Sequence, residues 1–367
     1  MEKQNVYFTT FKTTGSENLL QKLHRLMKKA GFETIDMKDK YAAIKIHFGE
    51  YGNLAFLRPN YAKVVADYCK ELGAKPFLTD CNTLYVGSRK NALDHLDTAY
   101  VNGFSPLQTG CHVLIADGLK GTDETIVPIN GEYVKEAKIG HAIMDADVFI
   151  SLTHFKGHET AGFGGTIKNI GMGCGSRAGK MEQHCDGKPS VNEAQCVGCG
   201  SCQKICAHGA PIMENHKVHI DHDKCVGCGR CLAVCPKDAI AADYNDSVAM
   251  LNYKMAEYAY AVCKDRPCFH VSLICGVSPN CDCHAENDIP IIPDVGMFAS
   301  FDPVALDKAC ADACNKQPVI ANSQLDHMPH THGDHFCHSA ATTDWKVCIE
   351  HAKKIGIGTD AYELIEI

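Results

Sequence analysis

Hydrophobic and polar positions follow two periods along the first 150 residues. YAAIKIHF (41–48) steps with period two and is rich in β-branched side chains, the pattern of a strand. NVYFTTF (5–11), KPFLTDC (75–81), CHVLIAD (111–117) and DVFISLTHF (147–155) read as further strands. Between them, ENLLQKLHRLMKKA (17–30) repeats apolar residues at helical spacing and stops at Gly31. PNYAKVVADYCKEL (59–72) has Pro59 suited to a first helical turn and Gly73 to close it. The alternation resumes late in the chain. SVAMLNYKMAEYAYAVC, DPVALDKACADAC and DWKVCIEHAKKI have helical patterning, and FHVSLIC and AYELIEI read as strands. Strands alternating with helices predict an α/β fold, a mostly parallel sheet with helices on both faces. Such sheets bind ligands beyond the carboxyl ends of their strands.

The pattern breaks between about 188 and 244, where cysteine and glycine take over. Neither flank is self-sufficient. The expected organisation is one α/β domain, 1–187 and 245–367, interrupted by a small insert at 188–244; three domains in a row is the alternative. Lys plus Arg number 36 against 44 Asp plus Glu, a net charge of -8. That balance disfavours nucleic acid and anionic membrane as partners. No run of 18 apolar residues predicts a membrane span. MEKQNVYFTTF lacks a charged-then-apolar leader pattern, so a cytoplasmic protein is expected.

Cysteine changes the picture. There are 22 Cys and 20 His in 367 residues, and in a chain expected to be cytosolic such usage points to metal ligation or redox chemistry rather than disulfides. QCVGCGSCQKICAHGAP and KCVGCGRCLAVCPKDAI form an internal repeat, each reading C-x2-C-x2-C-x3-C. The repeat resembles bacterial-type two-cluster ferredoxins, in which the fourth cysteine of each run ligates the other cluster. The resemblance implies two 4Fe–4S clusters in a small ferredoxin-like α+β insert. One is expected on Cys196, Cys199, Cys202 and Cys235, the other on Cys225, Cys228, Cys231 and Cys206. Gly198, Gly200, Gly227 and Gly229 would let the thiolates converge. Ala207 departs from the usual proline but is no ligand position. Zinc sites use one or two CxxC pairs, often with histidine, and fit eight cysteines in two runs poorly.

The second candidate region is THFKGHETAGFGGTIKN, beyond a predicted strand. Its glycines lead into a helix-like segment whose N–H groups suit an anion. His154, His158 and Lys168 are candidate catalytic groups, and Lys156 and Asn169 candidate binding groups. IKIHFGEYGNLAFLRP adds Lys45, His47 and Arg58, with His47 as a fourth catalytic candidate. TDCNTLYVGSR adds Asn82 and Arg89, both for binding substrate. Arg58, Arg89 and Lys168 suit a carboxylate or phosphate. Among the other cysteines, CGVSPNCDCH crowds Cys275, Cys281 and Cys283, and a third metal site near Cys281 and Cys283 is an option. DHMPHTHGDHFCH is read as a polar loop with incidental histidines rather than a metal site.

These blocks, with IPDVGMFASFDPVALDKA and DWKVCIEHAKKIGIGTDAYELIEI, resemble the domain of unknown function 362 family over essentially the whole chain. Its members are often described as iron–sulfur cluster-binding proteins with a ferredoxin insert. HFKGHETAGFGGTIKN also partly matches the His, aromatic, Gly and Lys order of the nickel-pincer lactate racemase family; its cofactor is not carried over. The expected function is an iron–sulfur oxidoreductase. Electrons would come from a redox partner protein or small-molecule donor and reach a small anionic substrate or bound cofactor on the α/β domain, in an anaerobic host. A ferredoxin-type electron carrier with a partner-docking domain, a racemase or isomerase with accessory clusters, and a metal-trafficking protein are the alternatives.

Overall fold

A computed structural model describes residues 3–85, 87–185, 188–242, 247–328, 333–339 and 343–367. The expected joints of the insert, at 187/188 and 244/245, fall on residues outside this set, as do His330, His332 and the side chain of His338.

Eight strands form the central sheet: β1 (Gln4–Thr10), β2 (Tyr41–Lys45), β3 (Lys75–Asp80), β4 (His112–Ile115), β5 (Val148–His154), β6 (Cys268–Ile274), β7 (Gly296–Ser300) and β8 (Tyr362–Glu366). Their order is β8-β1-β7-β6-β5-β2-β3-β4. All pairings are parallel except the two made by β7, which runs antiparallel to β1 and β6. The fold is α/β with a mostly parallel sheet, as the alternating periods predict. Both faces are covered, so β5, VFISLTH, is buried along its whole length rather than alternating.

Helices α1 (Leu19–Lys29) and α2 (Pro59–Glu71) pack on one face, where Ala42, Ile44, Val148 and Ile150 point. The side chains of Ala43 and Phe149, one step along the same strands, enter the opposite core. That core is covered by α4 (Thr166–Cys174), α6 (Val248–Cys263), α7 (Pro303–Asn315) and α8 (Lys346–Lys354); α3 (Ala92–Val101) lies beyond β3. Local chemistry fixes the helix starts. Asn18 and Gln21 cap α1 reciprocally, Pro59 begins α2, and Asp302 accepts from Val304 N and Ala305 N ahead of Pro303 in α7.

Residues 189–242 add two short antiparallel pairs, 189–191 with 240–242 and 211–214 with 217–220, and two one-turn helices, Ser201–Ile205 and Arg230–Val234. Their small apolar core includes Val218, Leu232 and Ile240. It closes against Leu84 and against Met181 and Cys185 of helix α5 (Arg177–Cys185). Arg177 lies under Gly229 and donates to the carbonyls of Thr83 and Lys90, while Lys90 pairs with Asp238. The cysteine-rich segment is thereby seated on α5 and the 83–90 loop.

Candidate functional site

A cavity of about 640 Å³ opens beyond the carboxyl ends of β2, β3 and β5. Lys45, the last residue of β2, is buried at its floor. Its Nζ donates to Asn169 Oδ1 at 2.8 Å and pairs with Asp80 Oδ1 at 3.1 Å. Burial pushes the Asp80 carboxyl up, but the neighbouring cations, Lys45 foremost, outweigh it and hold the group below its usual range. Arg89 pairs with Glu50 at 3.1 Å, reaches Asp80, and donates to the Tyr85 hydroxyl. This side of the cavity is a neutralised lattice.

The other side brings Lys156, Lys168 and Lys180 together with Glu159 and Glu286. Lys168 donates to Cys281 Sγ at 3.5 Å. Burial opposes its charge, yet the sulfurs of Cys281 and Cys283 lift its pKa above the ordinary range. Lys180, on α5, donates to the carbonyl of Gly175 at 2.6 Å. Among the described residues neither lysine has a carboxylate in salt-bridge reach. Lys156 donates to the carbonyl of His154 and pairs with Asp282 at 3.4 Å.

Two lining histidines have a defined tautomer. His47 accepts the N–H of Gly49 on Nδ1 at 3.0 Å. His158 accepts those of Thr160 and Ala161 on Nδ1 at 3.0 and 3.1 Å. In the neutral ring the proton therefore sits on Nε2 in both. Burial first, and then the Arg89 charge, keep the His47 pKa well below its ordinary value, so His47 is a neutral donor. The neighbouring Cys283 thiol and the nearby Lys168 draw the Cys281 thiol well down, and Cys283 is pushed up in return.

Seven of the ten residues expected from the sequence line this one cavity: Lys45, His47, Arg89, Lys156, His158, Lys168 and Asn169. Three do not. His154 is buried behind the wall, with Nδ1 against Asp282 at 2.9 Å and Nε2 against the carbonyl of Cys275 at 2.7 Å. Both ring nitrogens are committed to oxygens, so it is a strut rather than a free proton donor. Arg58 is exposed at the cap of α2, because Pro59 starts that helix away from the cavity. Asn82 is turned to Asp117 and Gly118.

The glycine-rich entry to α4 also differs from expectation. THFKGHETAGFGG is a short hairpin, 156–158 against 162–164. The first N–H groups of α4, at Thr166 and Ile167, are taken by the carboxylate of Asp307 at 2.6 and 2.9 Å, leaving no bare anion site at that helix end. Lys180 and His184, which line the cavity from α5, were not singled out in the sequence. Their i, i+4 spacing in SRAGKMEQHC was the available signal.

The eight ferredoxin-type cysteines line two other, small cavities. One is walled by Cys196, Cys199, Cys202 and Cys235 and the second by Cys206, Cys225, Cys228 and Cys231. In each, three cysteines come from one run and the fourth from the other. Gly198, Gly200, Gly227 and Gly229 all adopt left-handed φ, 67°, 74°, 72° and 65°, so each loop needs glycine at both positions. Among the described residues the one group bringing three metal-ligating atoms within 4.8 Å is Glu159, Cys283 and His284. The quartets are therefore more open than one tetrahedral ion, at about 2.3 Å from each sulfur, would require.

Residues 42–312 match the family described as Domain of unknown function (DUF362). The chain belongs to that family. No curated protein matches it. Eight chains of solved structures do. The lactate racemase apoprotein from Thermoanaerobacterium thermosaccharolyticum is 12% identical with a TM-score of 0.35, over 74% of this chain and 51% of that one. A protein from Thermotoga maritima is 11% identical with a TM-score of 0.42, over 81% of this chain and 57% of that one. The chain thus spans little more than half the length of either, and at this similarity neither carries a functional argument. Among the described residues no helix is long and apolar enough to cross a membrane.

Proposed function

We propose that this DUF362 protein is an iron–sulfur oxidoreductase, in which residues 188–244 deliver low-potential electrons to a small anion or bound cofactor in the 640 Å³ cavity. The observation that carries the reading is the sorting of the eight cysteines into two separate four-sulfur cavities with crossed membership. Their donor chemistry, four thiolates each, fits 4Fe–4S clusters, which when bound would supply single electrons at low potential. Cys199 is exposed, so the Cys196 quartet faces solvent and a redox partner or small-molecule donor. The Cys206 quartet lies toward α5, where Arg177 packs on Gly229.

Helix α5 joins the two regions. Met181 and Cys185 pack into the core of the cysteine-rich segment, and Lys180 and His184 of the same helix line the cavity. Leu84 belongs to both. One layer of side chains thus separates the electron-carrying part from the binding part. Lys45, Lys168 and Lys180 hold an anion and the charge that grows on it during reduction. His47 and His158 present Nε2–H groups as proton sources. Asn169 fixes Lys45, and Arg89 with Glu50 and Asp80 keeps that wall rigid.

The test is anaerobic. Protein reduced with dithionite, freed of excess reductant, is mixed with a panel of 2-oxo and unsaturated carboxylates and phosphorylated cofactors, and return of the visible absorbance is followed. At least one compound should reoxidise the wild-type protein rapidly and K168A slowly. Equal rates in the two proteins for every oxidant would sink the reading in favour of an electron carrier whose α/β part only docks a partner.

A further inference from the structure

The cavity rim carries a second constellation that electron delivery does not use. We propose that Cys283, His284 and Glu159 bind one divalent transition-metal ion, with an open coordination position facing the cavity. One ligand atom from each, a sulfur, an imidazole nitrogen and a carboxylate oxygen, lies within 4.8 Å of the others. His284 Nε2 and Glu159 Oε1 are 3.0 Å apart. An ion held at about 2.0–2.3 Å from such donors needs them within about 4 Å of each other, so closure by a fraction of an ångström to about one ångström completes the site. Glu159 and His284 are 43% and 40% exposed and free to make that movement.

The turn that carries two of the ligands is held on several sides. His284 N donates to the carbonyl of Cys281 at 3.0 Å, which closes the turn and brings Cys283 and His284 to the same rim. Glu50 N donates to the carbonyl of Asp282 at 2.9 Å, and Asn53 Nδ2 to that of His284 at 2.9 Å. The Asp282 side chain, fully buried between the two cysteines, is clamped by His154 and Lys156. The role of His154 is thereby explained as a positioning residue for this turn. Pre-organised ligands of this kind are what metal sites require.

A plain His284–Glu159 ion pair at a half-exposed rim would contribute little and explains neither thiol. The donor set also selects the ion. One thiolate, one imidazole and one carboxylate suit zinc or ferrous iron and disfavour magnesium or calcium, which want oxygen throughout. Cys283, His284 and Glu159 all line the cavity, so three protein ligands leave a position for a substrate oxygen. Lys168 and His158, next to Cys281, would flank it. The ligand class is an oxyanion, a carboxylate or phosphate, bound end-on to the ion. The inference holds whether or not the quartets carry clusters.

Cobalt(II) is the probe, titrated into anaerobically purified full-length protein whose iron and acid-labile sulfide have been counted. Wild-type protein should bind one more cobalt ion than H284Q and show a thiolate-to-cobalt charge-transfer band in the near ultraviolet. C283S should lose that band. H284Q and E159Q, changes at half-exposed side chains that leave the fold intact, should weaken it more than about tenfold in affinity, since loss even of an outer partner commonly costs about 10–100-fold. C228S should lose iron yet still bind one more cobalt ion than C228S/H284Q, which separates this site from the clusters. Cobalt taken up by insert cysteines cancels in the comparison of wild type with H284Q. Identical titrations for wild type, H284Q and E159Q would overturn the proposal, even if C283S failed to fold.

Discussion

The sheet domain and the cysteine-rich segment hold themselves together by different means. Among the described residues, the two faces of the sheet bury hydrophobic clusters of 44 and 33 residues. The cluster of the cysteine-rich segment has ten, and Leu84, Met181 and Cys185 among them belong to the domain beneath. Among the described residues, the seven buried members that the segment itself contributes, two of them the expected ligands Cys196 and Cys202, are a small core against the conformational entropy of some 55 residues at about 1–2 kcal/mol each. The sheet domain is a fold that carries a site. On the proposed reading, the segment from 188 to 242 depends on its clusters for its fold.

The largest expected effect breaks this contrast most openly. Cys228→Ser, or removal of iron by a chelator, should leave residues 188–242 open to protease while the sheet domain keeps its thermal transition. Mass spectrometry of the fragments reads both at once. A segment that stays protected without metal would show that packing on α5 is enough.

Next in size is the cavity. Lys168→Ala should retain iron, sulfide and thermal stability but lose about 10²–10³-fold in the rate of substrate reduction, the usual consequence of deleting one donor aimed at developing charge. Loss of iron in that variant would mean that the cavity and the segment are not separable. A subtler probe leaves every polar group in place. A Cβ on Gly173 would lie 2.6 Å from both Cε and Nζ of Lys45, so Gly173→Ala should push the lysine off Asn169 and Asp80. Anion binding should weaken by about 1.5–3 kcal/mol, one charge-assisted hydrogen bond. Unchanged affinity would show that Lys45 is only structural.

The last effect concerns the sheet domain alone and is set by pH. Burial raises the pKa of Asp307 from 3.8 to about 6, against the two N–H bonds it accepts at the start of α4. A carboxyl with a higher pKa folded than unfolded stabilises the fold fully below about 3.8, and this contribution is lost as pH rises through about 6. The advantage of wild type over Asp307→Asn should therefore shrink by up to about 3 kcal/mol between pH 4 and 7. An advantage that grows with pH would show that the ionised carboxylate is the better cap.

What the sequence made legible follows the same division. The strands ending in Lys45, Asp80 and His154 were readable because period and β-branching mark them, and parallel topology then puts their ends at one edge. The cysteine spacing carried the sorting into quartets, because three of the four sulfurs in each come from one run and the repeat supplies the fourth. Long-range partners were not readable. Nothing near residue 154 says that His154 will meet Asp282, 128 positions away, or that Asp307 will take the N–H groups of α4. Strand β7 was missed because GMFAS is short and wholly buried, with no alternation to mark it. Helix α5 was passed over because its charged residues look like a solvated face. The fold buries Lys180 and Gln183 between two regions far apart in the chain.

The central claim, that the segment on α5 is an electron-carrying module, is tested most directly by counting iron and acid-labile sulfide in anaerobically purified protein, with electron paramagnetic resonance after dithionite reduction. The account predicts roughly eight of each per chain and a spectrum of two interacting reduced clusters. Stoichiometric zinc with no sulfide, persisting after anaerobic reconstitution with iron and sulfide, would contradict it.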